Sequence, residues 1–131
     1  MTKPLRPPMD ASSLPEPLRA RMAEMDARSP VEWVGWLLRG HVADTEGEEE
    51  IRDELSMTAQ HSTQSLRRAL TAVDVLLTEE QPPGTLLYLV ADDGSRSLDD
   101  PTDRGAAVFL RQLAGWTRAA VDDAEAGNAR P

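Results

Sequence analysis

"TLLYLVADDG", Thr85 to Gly94, decides the fold class of this 131-residue chain. The unbroken run of large apolar side chains from Leu86 to Val90 suits a buried strand or a short buried helix equally well by pattern alone. A buried strand needs a neighbour, because each of its backbone N–H and C=O groups must find a partner. No second segment of the sequence reads as a strand. The stretch is therefore read as a short helix capped by Thr85, and Asp92-Asp93-Gly94 turns it into the polar loop "SRSLDDPTD".

Helical patterns surround it on both sides. Upstream, Leu66, Ala69, Leu70, Val73, Leu76 and Leu77 keep helical spacing until Pro82-Pro83-Gly84 stops the run. Downstream, a helix from about Thr102 to Glu125 carries Ala106, Phe109, Leu110, Leu113, Trp116, Thr117 and Ala120 on one face. In "SPVEWVGWLLRG", Ser29 caps, Pro30 suits the first helical position, Glu32 completes a capping box and Gly40 closes the helix. That helix is apolar almost all round, which implies burial on more than one side; Trp33 and Trp36 are read as core residues, the other use of two tryptophans so close being to line a ligand pocket. Between it and the Leu66 helix, Asp44 or Thr45 caps an acidic helix whose apolar stripe is only Ile51, Leu55 and Ala59. Leu18, Met22 and Met25 mark a short helix beginning near Leu14. The expected fold is all-α: a single compact bundle-like domain of five or six helices over residues 14–126. Residues 1–13, with Pro4, Pro7 and Pro8, are expected to form a flexible arm, and 127–131 a frayed tail.

Composition narrows the function classes. Acidic residues number 23 against 14 basic ones, a net charge of −9, so direct nucleic-acid binding is disfavoured. The chain has no cysteine, which removes disulfide and thiolate chemistry. It has neither a secretory apolar segment nor a run near the roughly 18 residues of a membrane span. A cytoplasmic protein without a membrane partner is expected.

Catalytic and metal motifs give no foothold. His41 and His61 are the only imidazoles and neither sits in a catalytic motif; each is read as a surface or helix-end residue. Glu49 with Asp53, and Glu50 with Glu54, have helical ligand spacing, yet no Glu-x-x-His pair accompanies them. "DDGSRSLDDPTD" lacks the alternating oxygens and closing glutamate of a calcium loop. The chain is read as a non-enzyme without metal or cofactor.

What stands out is charge. Between Asp44 and Glu54 lie seven carboxylates and one cation, Arg52, and the loop Asp92–Asp103 adds five more carboxylates. Each run could be an independent solvated face. If the fold brings them together, they make an acidic face that steers a basic protein into contact, with Glu46, Glu48, Glu49, Asp53, Asp99, Asp100 and Asp103 as charge contacts.

The order of segments, "EWVGWLLRG", "DTEGEEEIRDEL", "SLRRALTAVDVLL", a short apolar helix and "DDPTDRGAAVFLRQLAGW", resembles the small helical immunity proteins of bacterial contact-dependent growth inhibition systems. The similarity covers roughly residues 30–120. It implies a cytoplasmic, non-enzymatic inhibitor that covers the active site of a basic toxin domain. The alternative reading is a regulatory or accessory subunit that docks on another protein through an apolar surface, with Trp33, Trp36 and Trp116 partly exposed and the acids incidental. Self-association is left open by both.

Overall fold

The computed structural model describes residues 28–129. The expected arm at 1–13, the helix from Leu14, and residues 130–131 of the tail lie outside them. Among the described residues there are five helices and no strand, so the domain is all-α. In chain order these are α1 (Pro30–His41), α2 (Glu48–His61), α3 (Gln64–Thr78), α4 (Thr85–Tyr88) and α5 (Asp103–Ala129). One turn of π-helix, Leu89–Asp93, continues α4.

Local chemistry starts α1 as the sequence dictates. The Glu32 N–H donates to Ser29 Oγ at 3.2 Å, and the Ser29 N–H donates to Glu32 Oε1 at 3.0 Å, so two otherwise orphaned donors are satisfied reciprocally. The helix passes Gly40 and ends at His41. Val34, Leu37 and Leu38 are fully buried, because α1 is enclosed by α3 on one side and the π turn on another.

Helix α5, 27 residues and about 40 Å long, is the spine. Helices α2, α3 and α4 all rest against it. Its buried positions Ala106, Leu110, Leu113, Thr117 and Ala120 repeat every three or four residues, and the Thr117 hydroxyl is satisfied by the Leu113 carbonyl at 2.8 Å. Phe109 and Trp116 flank that face, half-buried and packed edge-to-face at 6.3 Å between ring centroids. At the far end Glu125 receives a two-pronged contact from Arg67 and a hydrogen bond from Thr63 Oγ1, fastening α3 to α5. Helix α2 buries Ile51, Leu55 and Ala59 and turns the rest of its surface to water.

Two caps differ from the sequence expectation. Thr85 does not cap α4. Gly84 holds that position in the left-handed conformation, φ +88°, and the cap comes from Asp103 at the start of α5. Neither Asp44 nor Thr45 caps α2; the helix begins after Gly47 with no side-chain cap. Thr45 is used elsewhere, its hydroxyl donating to the Val42 carbonyl at 2.6 Å.

The run Leu86–Val90 is helical, as its want of a strand partner requires. Leu89 and Val90 are buried whereas Tyr88 is 60% exposed, so the apolar run is not buried throughout. After it the Gly94 N–H reaches back five residues to the Leu89 carbonyl at 3.0 Å, and Ser95 takes φ +51°. A β-carbon on Gly94 would lie 2.7 Å from the Val90 carbonyl oxygen, which explains why glycine sits where this wider turn closes.

Candidate functional site

The acidic residues of α2 follow from how little of that helix is buried. Glu48, Glu49 and Glu50 occupy its first turn, where the partial positive charge of the exposed backbone N–H groups favours carboxylates. Glu46, Glu48, Glu49, Glu50 and Asp53 line one shallow, open depression, and Arg52 joins Glu48, Glu49 and Asp53 around an adjoining one. Arg52 is already engaged with Glu48 at 3.1 Å. Among the described residues, Glu46, Glu49, Glu50 and Asp53 have no ion-pair or hydrogen-bond partner for their side chains.

The second acidic segment is tied to the first by a cation. Arg96 Nη2 donates to the Val42 carbonyl at 3.0 Å and to Thr45 Oγ1 at 2.9 Å, and it also reaches the Thr45 carbonyl. Those groups belong to the turn that leads into Asp44–Glu54. Arg39, in the last turn of α1, pairs with Asp93 at 3.3 Å and so ties the start of the second acidic segment to α1. Asp99 and Asp100 follow Arg96 within four residues and line a separate depression with Leu98, Gly105, Val108, Phe109 and Gln112. Two acidic depressions result, one on α2 and one at the foot of α5, with a guanidinium stapling together the loops that carry them.

Asp103 has a different place from the other six expected contacts. Its two oxygens accept from the Gly84 N–H at 2.7 Å and the Leu87 N–H at 3.0 Å, and those backbone donors hold its carboxyl below the usual carboxylate range. Its charge serves α4. Glu50, by contrast, is weighed in the sequence only for ligand spacing with Glu54 and not as a charge contact, yet it lines the same depression as Glu46, Glu49 and Asp53. Its adjacency to Glu49 was the available signal. Arg96 was also missed, and no local pattern marks it, because its partners lie about fifty residues upstream.

His41 is a buried helix-end residue. One ring nitrogen contacts the Leu37 carbonyl at 3.1 Å and the other Thr58 Oγ1 at 2.9 Å, joining α1 to α2, while Trp36 packs edge-on at 5.2 Å. Burial pushes its pKa down, against the Leu37 carbonyl and the Glu54 charge, which push it up. No three His, Asp or Glu side chains among the described residues converge where they could hold a metal ion. No described helix is long and apolar enough to cross a membrane.

These groups set the pH response. His41 takes up its proton more readily unfolded than folded, so stability is full above about pH 6.5 and is lost as pH falls from there through the folded value. Asp103, held by Gly84 and Leu87, and Glu125, held by Arg67, have lowered pKa values; their contribution is full above about pH 4.5 and is lost below it. Urea unfolding from pH 7.5 to 3 is expected to show two successive declines. In His41→Gln the upper decline should vanish and the lower persist, and a retained upper decline would assign it to another group.

No family model, no curated protein and no solved structure matches the chain. The likeness to immunity proteins thus rests on the order and character of the segments.

Proposed function

We propose that this protein is a non-enzymatic, cytoplasmic binding protein whose acidic end receives a basic protein surface, and that it acts as an immunity-type inhibitor covering a toxin domain. One contrast carries the reading. Several carboxylates are used by the fold itself, since Glu32 caps α1, Asp93 pairs with Arg39, Asp103 caps α4 and Glu125 holds Arg67. Four carboxylates without partners, Glu46, Glu49, Glu50 and Asp53, collect instead at one end of α2, the densest such group among the described residues, while others such as Asp74, Glu79, Glu80 and Asp123 are spread over the rest of the surface. Like charges packed along a helix cost a few tenths of a kcal/mol per pair, and a cationic partner reverses that cost.

The alternative apolar docking surface finds less support. Trp33 is 5% exposed, and Trp36 and Trp116 are half-buried in edge-to-face aromatic pairs. The exposed large apolar side chains Val31, Met57, Tyr88 and Val108 lie on four different helices, and single exposed residues of this kind are ordinary.

The test is kinetic. The partner to assay is a basic toxin domain, sought in the neighbouring reading frames, with association followed by stopped flow at several salt concentrations. Glu49→Lys with Asp53→Lys is expected to slow association about tenfold or more at low salt and to flatten its salt dependence, with helix content unchanged. Wild-type association rates and salt slope in that variant would remove α2 from the interface.

A further inference from the structure

The acidic end is matched by a cationic surface on the same molecule. The described residues include nine arginines, and six of them are engaged. Arg39, Arg52 and Arg67 pair with carboxylates, Arg96 holds backbone carbonyls, Arg28 lies 4.8 Å over the Trp33 ring, and Arg68 is also engaged. The other three are Arg104, Arg111 and Arg118, all exposed and all on α5.

Their spacing puts them on one line. Seven residues bring an α-helix back to within about 20° of the same direction, so the three guanidinium groups share one outward face over about 21 Å of helix. Val108 and Gly115 lie exposed along the same side, and a β-carbon on Gly115 would meet nothing within 4 Å. Among the described residues nothing lies over the stripe at Gly115, and near Arg104 the stripe borders the depression that Val108 shares with Asp99 and Asp100. In a chain of net charge −9, every arginine with no partner among the described residues falls on this one line.

We propose that the stripe docks on the acidic face of a second copy of the chain, Arg104, Arg111 and Arg118 of one protomer meeting Glu46, Glu49, Glu50 and Asp53 of the other. Charge complementarity selects this occupant. The stripe calls for an anionic surface that lacks its own cations, and the start of α2 is such a surface, its single arginine being engaged with Glu48. Each copy carries both halves of the contact, so a twofold arrangement forms it twice and closes a dimer. Further growth is opposed by the accumulating net charge. At physiological salt the screening length of about 8 Å damps repulsion between the bodies more than it damps pairs in contact. Self-association and capture of a basic partner would then compete for the same carboxylates.

Sedimentation of the full chain alone tests this, so its outcome is separate from that of the partner assay. The wild type is expected to be dimeric at about 0.1 M salt and monomeric at about 1 M. Arg111→Glu should weaken the dimer about tenfold or more, and Glu49→Lys with Asp53→Lys should do the same. Mixing a stripe-reversed variant (Arg104→Glu, Arg111→Glu, Arg118→Glu) with the acid-reversed one should restore association, since each then presents the complement of the other. Arg111→Gln serves as the neutral variant, and circular dichroism checks folding throughout. A wild type that stays monomeric at every salt concentration, or a dimer indifferent to both reversals, overturns the proposal. So does a monomer that binds a 20-nucleotide RNA through Arg111, which would give the stripe to nucleic acid.

Discussion

Arg96→Met is expected to destabilise the domain by roughly 2–4 kcal/mol, lowering the melting temperature by about 10 °C or more. Methionine replaces the apolar stem of the side chain but removes the guanidinium and with it every donor. The Thr45 carbonyl and hydroxyl lose a charge-assisted partner, and the Val42 carbonyl keeps only its contacts from Thr45. Arg96 also holds a buried Nε–H with no partner among the described residues, a cost its other contacts must already outweigh. Arg96→Lys should recover part of the loss, because one ammonium cannot reproduce the fan of bonds from a planar guanidinium. Hydrogen exchange should accelerate in the turn at Val42–Thr45 and in the loop after Asp93, leaving α3 protected. Exchange that rises equally everywhere would mean that Arg96 supports global stability and not the junction of the two acidic loops. In the partner assay the variant keeps the acids of α2 but frees the loop that carries Asp99 and Asp100 from the Val42–Thr45 turn, so binding should weaken without a change in the contribution of Glu49.

How far the sequence could be read depended on how local each determinant is. The start of α1 was legible because Ser29, Pro30 and Glu32 complete the cap within four residues. The Ile51, Leu55, Ala59 stripe was legible because a helix with so narrow an apolar face must expose everything else. The class of Leu86–Val90 followed from a global condition, the want of a second strand. Its cap was illegible, since Asp103 reaches Gly84 and Leu87 from 19 and 16 residues away. The same limit hid the site. Glu46 to Asp53 form one group by adjacency alone, whereas the link to Asp99 and Asp100 passes through Arg96 and contacts more than fifty residues distant in sequence. Asp103 looked like one more surface acid because nothing near it in sequence reveals two backbone donors waiting for it. The arginine stripe was readable in principle from its seven-residue period, but only the pairing of the other arginines makes its isolation visible.

Gly105 offers the sharpest check on that loop. Alanine in place of glycine inside a helix normally stabilises by about 0.5–1 kcal/mol, through propensity and a less disordered unfolded chain. Gly115→Ala should follow that rule, since its β-carbon enters open space. Gly105→Ala should reverse it, with a loss of roughly 2–4 kcal/mol. A β-carbon there would lie 2.0 Å from the Asp100 carbonyl oxygen and 2.9 Å from the Asp100 carbonyl carbon and Cβ, all of them on a loop that cannot simply swing away. The Asp100 carbonyl accepts from the Thr102 N–H at 2.9 Å, Asp100 Oδ1 accepts from the Thr102 hydroxyl at 2.8 Å, and that hydroxyl in turn accepts from the Gly105 N–H at 3.2 Å. Relief must come from breaking this ring of bonds or from unwinding the first turn of α5, which carries Asp103 and its hold on α4. Urea denaturation of the two variants side by side gives opposite signs if Asp100 really presses on the helix start. Equal stabilisation in both would mean that the Asp99–Asp100 segment stands off from α5, and with it would go the placement of the second acidic depression.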